Sequence, residues 1–334
     1  MPRIVQRAGF SGGYRFHGFA GQPIGRIERH EGVSRIHIPY SGGRQSLLVK
    51  AEDRLSVGQA VAGLEAESPS HGVVISPVAG SVAAVDDRWV VVDAEGDQDW
   101  VPVSGCTPEW GNLAPSAIEQ LIVATGSTAV CPSGIPTHHG SSHRAPEDIR
   151  HIIVTHPNSD VFKTPLDVVM EDRDPGDLVS GIAILTKIMT NAAAHLALSG
   201  SESDTLRELR RRVAETEVVL DVQQTSDKYP QDHEAVLSES VAGVHLSPGE
   251  RAIEVGILIL DVSDVLQIFD AVTIGKPFIE RVIALSGPGF AENLHLRVRI
   301  GTPVGALVET HANAEVTSRI VYNSVMTGRA IEDM

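Results

Sequence analysis

The spacing of hydrophobic residues changes near residue 115. Before it, residues 35–103 contain short β-branched runs broken by Gly, Pro and Asp, a pattern typical of short strands and turns. After it, apolar strand-like runs alternate with helical periodicity. Strands are predicted at 151–157, 195–200 and 217–223, and helices at 177–193 and 203–216. The pattern predicts an α/β multidomain chain whose middle part is a Rossmann-like parallel sheet.

The longer predicted helix has a clear buried stripe. Its apolar residues recur at helical spacing, at Val179, Ile182, Leu185, Ile188 and Met189. The most apolar run of the chain, residues 255–262, is far shorter than the roughly 20 residues that a membrane helix needs. We therefore expect a buried strand there and no direct membrane span.

The all-β part consists of two similar halves, as in a twofold β sandwich. It resembles biotinyl and lipoyl carrier domains, and the residues that carry the resemblance are Asp53, Val57, Gly58, Gln59, Pro77, Gly80 and Val82. Carriers attach their cofactor to a lysine in an E-A-M-K type sequence. Here the corresponding residues are Glu65, Ala66, Glu67 and Ser68. A serine cannot form the required amide, so no covalent cofactor is expected.

The last part, from residue 276, reads as two strands, a helix and a returning strand, which favours a small β-grasp (SLBB-like) domain. Three domains are therefore predicted. They are an N-terminal segment with the β sandwich, the Rossmann-like domain and the β-grasp domain, at residues 1–108, 109–275 and 276–334.

The amino-acid composition restricts the classes of binding partner that fit this chain. The net charge of −16 argues against nucleic acid and against anionic lipid surfaces. Two cysteines, Cys106 and Cys131, are too few for a cysteine-ligated iron–sulfur cluster and fit a reducing cytosol. The N-terminus lacks the apolar core of a signal peptide. We expect a cytoplasmic chain that reaches a membrane only through partner subunits.

Several segments carry candidate chemistry, each with a plainer alternative. Residues 123–137 are rich in small residues and could cradle a phosphate, but a connecting loop is at least as compatible with their sequence. His139 and His143 have metal-compatible spacing only on a helix, which Gly140 disfavours. Cys131 lacks the surroundings of a nucleophile. No metal site and no catalytic residue is predicted.

A ligand pocket is expected in the crevice outside the carboxyl ends of the parallel strands. Residues 226–241 follow the third strand, so this segment should lie beside the crevice. The plainer interpretation of its proline is an ordinary turn at the protein surface. The pocket candidates are Gly126, Ser127, Thr128, Thr155, Asn158, Lys228 and Tyr229.

The segment KYPQDHEAVL (228–237) resembles the K-Y-P-Q-G-G-E-K-Q-L stretch of the C subunit of the Rnf electron-transport complex. Phe10, Gly12 and Gly13 are similar to the F-x-G-G opening of the same protein. Residues 266–288 resemble both the Rnf protein and the A subunit of the sodium-translocating NADH:quinone reductase. SVMTGR (324–329) is closest to the S-V-L-S-G-R of the reductase protein. The resemblance implies the same three-domain order.

Two departures favour the reductase A subunit. The glycines of the Rnf flavin loop are mostly replaced, and the Rnf cluster cysteines are missing. One departure points the other way, since the A-subunit family usually has a further C-terminal helical segment that this sequence lacks, either through truncation or as a short variant. The resemblance therefore implies a peripheral subunit of a sodium-translocating NADH:quinone oxidoreductase. It would hold no tightly bound redox cofactor, have ubiquinone as a possible substrate and have the other reductase subunits as partners.

The alternative is a soluble flavin- or nucleotide-binding module related to the Rnf C subunit. It would use the crevice near Gly126, Thr155 and Lys228. A scaffold without any ligand is also compatible with the sequence, since fold alone does not decide function.

Overall fold

A computed structural model describes most of the chain, namely residues 6–17, 19–23, 25–40, 46–63, 73–127, 146–156, 159, 161–162, 164–199, 204–216, 218–313, 317, 319–323 and 325–331. It forms two compact units, each described by itself below. The first unit comprises the described residues within Met1–Gly18, Trp110–Ile118 and Cys131–Phe269. The second comprises Phe19–Glu109, Glu119–Val130 and Asp270–Met334.

The described residues form seventeen strands and seven α-helices. The strands are β1 Gln6–Ala8, β2 Ile27–Arg29, β3 Arg35–Pro39, β4 Ser46–Leu47, β5 Arg54–Leu55, β6 Ala60–Gly63, β7 Val74–Ile75, β8 Gly80–Val85, β9 Trp89–Ala94, β10 His151–His156, β11 Ala193–Ser199, β12 Leu220–Thr225, β13 Ile257–Asp261, β14 Glu280–Leu285, β15 Leu294–Arg299, β16 Val321–Tyr322 and β17 Arg329–Ala330. The helices are α1 Pro115–Ala124, α2 Leu166–Val169, α3 Pro175–Ile188, α4 Asp204–Ala214, α5 Glu234–Ala242, α6 Val262–Thr273 and α7 Val304–His311.

The first unit is built on a five-stranded parallel sheet in the order β1-β12-β11-β10-β13. Leu237 and Val241 of α5 pack on one face of the sheet, in a cluster with Ile153 and Ala197. The alternate strand residues, among them Leu196, are buried as well. Both faces of the sheet are therefore covered, as parallel sheets require.

The predicted alternation of strand and helix is present in this unit. The predicted strands correspond to β10, β11 and β12, and the run 255–262 contains β13. The predicted apolar stripe of α3 is buried in full. Asp174 caps this helix by accepting a hydrogen bond from the Gly176 N–H, and Pro175 occupies its first turn.

The second unit contains two small antiparallel sheets that share one hydrophobic core. One has the order β3-β9-β8-β5 and the other β4-β6-β7. Ile36, Val82 and Val90 from the first sheet cluster with Val61 and Val74 from the second. Ser68 lies outside the described residues, so the tip of the carrier-like hairpin is not described.

A three-stranded sheet completes the second unit, and its third strand differs from the expectation. β14 and β15 pair antiparallel as predicted, and α7 follows them. The third strand is β2, which pairs parallel to β15. The predicted returning strand is found as β16, which instead pairs with β17.

The chain is therefore a mixed α/β protein with several sheets. Within the described ranges, none of the helices combines the length and apolar character needed to cross a bilayer.

Candidate functional site

The carboxyl edge of the parallel sheet carries a row of polar side chains. Thr155 and His156 end β10, Ser199 ends β11, Thr225 ends β12 and Asp261 ends β13. Thr155, His156 and Thr225 are buried. Because the strands are parallel and in register, these side chains gather at one edge of the sheet, where α/β proteins bind their ligands. We call this edge the crevice.

His156 sits at the crevice in surroundings that favour its protonated form. Its Nε2 donates to the Thr164 carbonyl at 2.6 Å, and its Nδ1 lies 3.3 Å from the Asp261 carboxylate on the neighbouring strand. This Nδ1 contact is long for a hydrogen bond, and Asp261 acts on His156 both through it and through its charge. Burial lowers the pKa of His156, but Asp261, the Thr164 carbonyl and Asp232 outweigh it and the net pKa is raised.

Asp261 shows the complementary shift. Burial raises the pKa of its carboxyl group, but the hydrogen bond and charge of His156, together with the hydrogen bonds of Ser263, lower it overall. The Ser263 N–H donates to Asp261 Oδ1 at 2.7 Å. The two groups thus favour each other's ionised form, and their contact ties β13 to β10.

A second contact joins the segment after β10 to the segment after β12. Asp232 Oδ2 accepts a hydrogen bond from the Ser159 N–H at 2.9 Å and from the Ser159 hydroxyl at 2.5 Å. Ser159 is buried. Asp232 stands where the Rnf sequence stretch has a glycine, so this contact is made by a residue in which the chain departs from that pattern.

The KYPQ segment is a compact turn. Gln231 is almost fully buried, and its N–H donates to the Lys228 carbonyl at 2.8 Å. Its side-chain amide donates to Ser240 Oγ at 3.1 Å. The Lys228 N–H donates to Ser226 Oγ at 3.2 Å. These bonds fix the backbone of the turn between β12 and α5.

The N-terminal segment lies against this turn. Tyr14 and Tyr229 exchange two backbone hydrogen bonds, of 3.0 and 2.8 Å. The Phe16 ring meets the Tyr229 ring edge to face at 6.1 Å, and Arg15 pairs with Asp227. Gly13 permits this approach, since a Cβ there would stand 2.8 Å from the Tyr229 carbonyl oxygen. Two of the motifs that carried the Rnf resemblance therefore meet in space.

Ser199 offers an unsatisfied group at the centre of the row. Its Oγ is buried and has no hydrogen-bond partner in the described part of the chain. A buried hydroxyl without a partner is costly, so the atom is suited to donate to a ligand in the crevice.

The described pocket residues that the sequence predicted are divided between the two units. Thr155, Lys228 and Tyr229 belong to the first unit, where Thr155 lies at the carboxyl end of β10. Gly126 and Ser127 belong to the second unit. There a Cβ on Gly126 would stand 2.8 Å from the Ile75 side chain, and Ser127 Oγ lies 2.9 Å from Thr125 Oγ. Thr128 and Asn158 lie outside the described residues, as do Cys131 and the histidines at 138, 139 and 143.

The predicted pocket residues did not include His156, Ser199, Asp232 or Asp261. A signal was present for two of them, because His156 and Asp261 each end a strongly apolar strand. Among the described side chains, no group of three His, Cys, Asp or Glu is arranged to hold a metal ion.

Comparison with known proteins gives consistent matches over most of the chain. Residues 131–270 match the family model described as Nuo51 FMN-binding domain. The chain is similar to the C subunit of the ion-translocating oxidoreductase complex of Salmonella paratyphi A, with 26% identity over 281 residues, 80% of this chain and 37% of the relative. The corresponding protein of Salmonella gallinarum is 26% identical over 80% of this chain and 41% of the relative. The chain thus spans about two fifths of the length of these relatives.

Two solved structures also resemble the chain. They are the NAD+-reducing [NiFe]-hydrogenase in its H2-reduced state, with 16% identity and a TM-score of 0.46, and in its air-oxidized state, with 18% identity and a TM-score of 0.47. The first match covers 66% of this chain and 43% of the hydrogenase chain, and the second 64% and 41%.

These findings correct two predictions. The preference for the A subunit of the sodium-translocating NADH:quinone reductase is wrong, because the curated relatives are C subunits of an ion-translocating oxidoreductase complex. The expectation of no tightly bound redox cofactor, with ubiquinone as the possible ligand, is also wrong, because the match covers an FMN-binding domain. Local losses of glycine and cysteine are weaker signals than similarity over 80% of the chain. Hydroxyl groups and the backbone N–H groups of other residues also bind phosphate, so lost glycines do not exclude a flavin.

Proposed function

We propose that this chain is an FMN-binding module of an ion-translocating oxidoreductase complex, related to the C subunit of such complexes. The observation that carries the proposal is the match of residues 131–270 to an FMN-binding domain, because this range contains β10 to β13 and hence the crevice. The similarity to the Salmonella proteins over 80% of the chain supports the same assignment.

The described residues of the crevice fit a flavin in one testable respect. The buried Ser199 Oγ lacks a partner among them, and flavin carbonyl and phosphate oxygens are hydrogen-bond acceptors. Ser199, Thr225 and the ammonium group of Lys228 are the residues that we expect to hold the group. A bound flavin would supply hydride transfer, which no amino-acid side chain provides.

The other residues of the crevice position these donors. The His156–Asp261 pair and the Ser159–Asp232 contact fix the chain on either side of the segment after β10. Both ring nitrogens of His156 already face acceptors, and its raised pKa favours the charged form. Its role is therefore to hold this segment and to balance Asp261.

The partners that we propose are the other subunits of the ion-translocating oxidoreductase complex, through which the chain would lie at the membrane surface in the cytoplasm. This rests on the similarity to the Salmonella proteins, which are more than twice as long as the matched region. Nucleic acid is an unsuitable partner for a chain with a net charge of −16.

We also propose the finer architecture. The unit of β3 to β9 would be a biotinyl/lipoyl-like sandwich, supported by the core that its two sheets share. The sheet of β10 to β13 would be Rossmann-like, and β14, β15 and α7 would belong to an SLBB-like β-grasp domain. The domain limits proposed are 1–108, 109–275 and 276–334.

A fluorescence titration tests the FMN proposal. Free FMN would be titrated with the purified chain, and any flavin that co-purifies would be released by denaturation and identified by chromatography. We expect saturable quenching and FMN as the released flavin. Ser199→Ala should weaken binding by about tenfold, because the ligand loses a hydrogen bond from a buried donor.

Ser56→Ala is the matched control, since Ser56 is an exposed serine in the second unit. It should leave the affinity unchanged. A folded wild-type chain that neither carries flavin nor quenches added FMN would overturn the proposal.

A further inference from the structure

The two faces of the three-stranded sheet in the second unit differ in character. Along β15, Leu294, Leu296 and Val298 pack in a cluster with Leu307 of α7. Strand side chains alternate between faces, so Arg297 and Arg299 belong to the opposite face. The strand register adds two more charged residues to this face, because Arg29 pairs with Arg297 and Glu280 pairs with Arg299.

One carboxylate serves several cations on this face. Glu280 lies 2.9 Å from Lys276 Nζ, 3.5 Å from Arg297 Nη1 and 3.6 Å from Arg29 Nη1. Burial raises the pKa of Glu280, but the bond to Lys276 and the charges of Arg297 and Arg29 lower it overall. Glu280 is only partly buried, and its single negative charge is shared among three cations, so it cannot neutralise all of them.

Arg299 has an incompletely satisfied guanidinium group. Its Nη2 donates to the Gln98 carbonyl at 3.2 Å, while its buried Nη1 has no hydrogen-bond partner among the described residues. Burial is the main influence on its pKa and lowers it. A guanidinium group in this state is stabilised by an additional acceptor.

A cavity of about 260 Å³ lies beside these arginines. It is lined by Arg29, Arg297 and Arg299 together with Glu280, and Glu31 and Glu95 also reach it. Glu95 faces Arg54 at 3.8 Å. The volume falls below the roughly 300–1,000 Å³ of pockets for drug-sized molecules, so it suits a small ion or a single group.

We propose that this cavity binds a phosphate group, held by Arg29, Arg297 and Arg299. Arginine is suited to this task because its planar guanidinium group donates two parallel hydrogen bonds to a phosphate. The clustering is informative in a chain whose net charge is −16, since a random surface of such a chain would be acidic. The site lies in the second unit and is independent of the proposed FMN site in the first.

Isothermal titration calorimetry with inorganic phosphate tests the proposal. If the whole chain binds FMN, it would first be saturated with FMN, so that the crevice is filled. Sodium chloride of equal ionic strength would be the blank. A parallel titration with glycerol 3-phosphate separates a free ion from a phosphate ester, and binding of either supports the site. We expect saturable binding.

Variants locate the site. Arg297→Met and Arg299→Met should each weaken phosphate binding by about tenfold or more, since each removes a charge-assisted contact. Glu280→Gln should tighten binding by several-fold, on the order of the effect of one nearby charge, because it removes the competing carboxylate. Arg207→Met, an exposed arginine of α4 in the first unit, is the matched control and should bind like the wild type.

Circular dichroism would show whether Arg299→Met folds. If it does not, Arg29→Met replaces it, since the Arg29 side chain is 56% exposed and its loss is structurally mild. Wild-type protein without saturable heat would overturn the proposal. The same holds if Arg29→Met and Arg297→Met bind phosphate as tightly as the wild type. Failure of FMN binding leaves this test intact, because it depends on the arginine variants alone.

Discussion

His156 and Asp261 are residues whose charges make the crevice sensitive to pH. The folded-state pKa of His156 is raised and that of Asp261 is lowered. The histidine therefore stabilises the fold fully below its unfolded pKa of about 6.5, and this contribution is lost as the pH rises through the folded value. The aspartate stabilises above about 3.9, and its contribution is lost as the pH falls through the folded value. The pair is strongest between these limits.

We expect His156→Gln to destabilise the chain most in mildly acidic solution. Breaking a buried ion pair leaves Asp261 uncompensated, at a cost of about 3 kcal/mol. The cost should be larger at about pH 6 than at about pH 9, where the wild-type imidazole loses its extra proton. Urea unfolding followed by circular dichroism at the two pH values would measure it.

His245→Gln is the control for this prediction. His245 lies 3.3 Å from Glu239, but its side chain is 79% exposed, so solvent screens the pair. Its loss should change the free energy of unfolding little at either pH. An equal cost of His156→Gln at both pH values would mean that the pair does not titrate as described.

The sequence could identify part of this site. The strand ends were predictable from periodicity, which placed Thr155 and Lys228 beside a crevice. The pairing of His156 with Asp261 was not, because it depends on β10 and β13 being neighbours in register across more than 100 residues of chain. Likewise, Asp232 reads as an ordinary turn residue until the structure brings Ser159 to it.

At the level of elements, α3 approaches α6 closely at one glycine. A Cβ on Gly181 would stand 2.7 Å from Val265 Cγ1 and 2.8 Å from the Val265 carbonyl oxygen. The second of these atoms is backbone and cannot move aside without shifting α6. Glycine at position 181, which has no side chain, therefore allows the two helices to lie this close together.

Gly181→Ala should accordingly destabilise the first unit. Alanine in a helix is ordinarily favoured over glycine by about 1 kcal/mol, but overpacking costs about 1–3 kcal/mol. We expect the second effect to prevail, with a lower melting temperature in differential scanning calorimetry.

A glycine with open space around it supplies the comparison. Gly111→Ala has nothing within 4 Å of the added Cβ and should be neutral or slightly stabilising. Stabilisation by Gly181→Ala would contradict the close approach.

Elements with strong periodicity were predicted better than weak ones. The apolar stripe of α3 and the apolar run of β13 determine their own structure, because burying them is favourable in almost any arrangement. β2 is only three residues long and mostly exposed, so no local pattern distinguishes it from a loop. Its pairing with β15 is a tertiary contact, which explains why the third strand of that sheet was assigned to the wrong part of the chain.

At the scale of the whole molecule, the chain has separate hydrophobic cores. One lies under the parallel sheet with α5, and another lies between the two small sheets of the second unit. Length and composition predicted several cores, since 334 residues exceed what one core usually serves. The proposed cofactor could not be read from composition, because its binding would depend on a few atoms at strand ends.

Because the cores are separate, FMN bound at the proposed site should stabilise one part of the chain more than the other. A ligand that binds only the native state stabilises it by about 2.7 kcal/mol when its concentration is 100 times the Kd. Because the crevice is built from β10 to β13, FMN should slow amide hydrogen exchange in these strands and leave β3 to β9 unchanged. Hydrogen exchange followed by mass spectrometry, with and without FMN, measures both sets of strands in one experiment. Slowing confined to β3 to β9 would place the flavin outside the crevice. If the slowing in β10 to β13 persists in Ser199→Ala at equal FMN occupancy, the protection belongs to the site as a whole. If the variant loses the slowing at β11 alone, the Ser199 hydroxyl is the contact that orders this strand end.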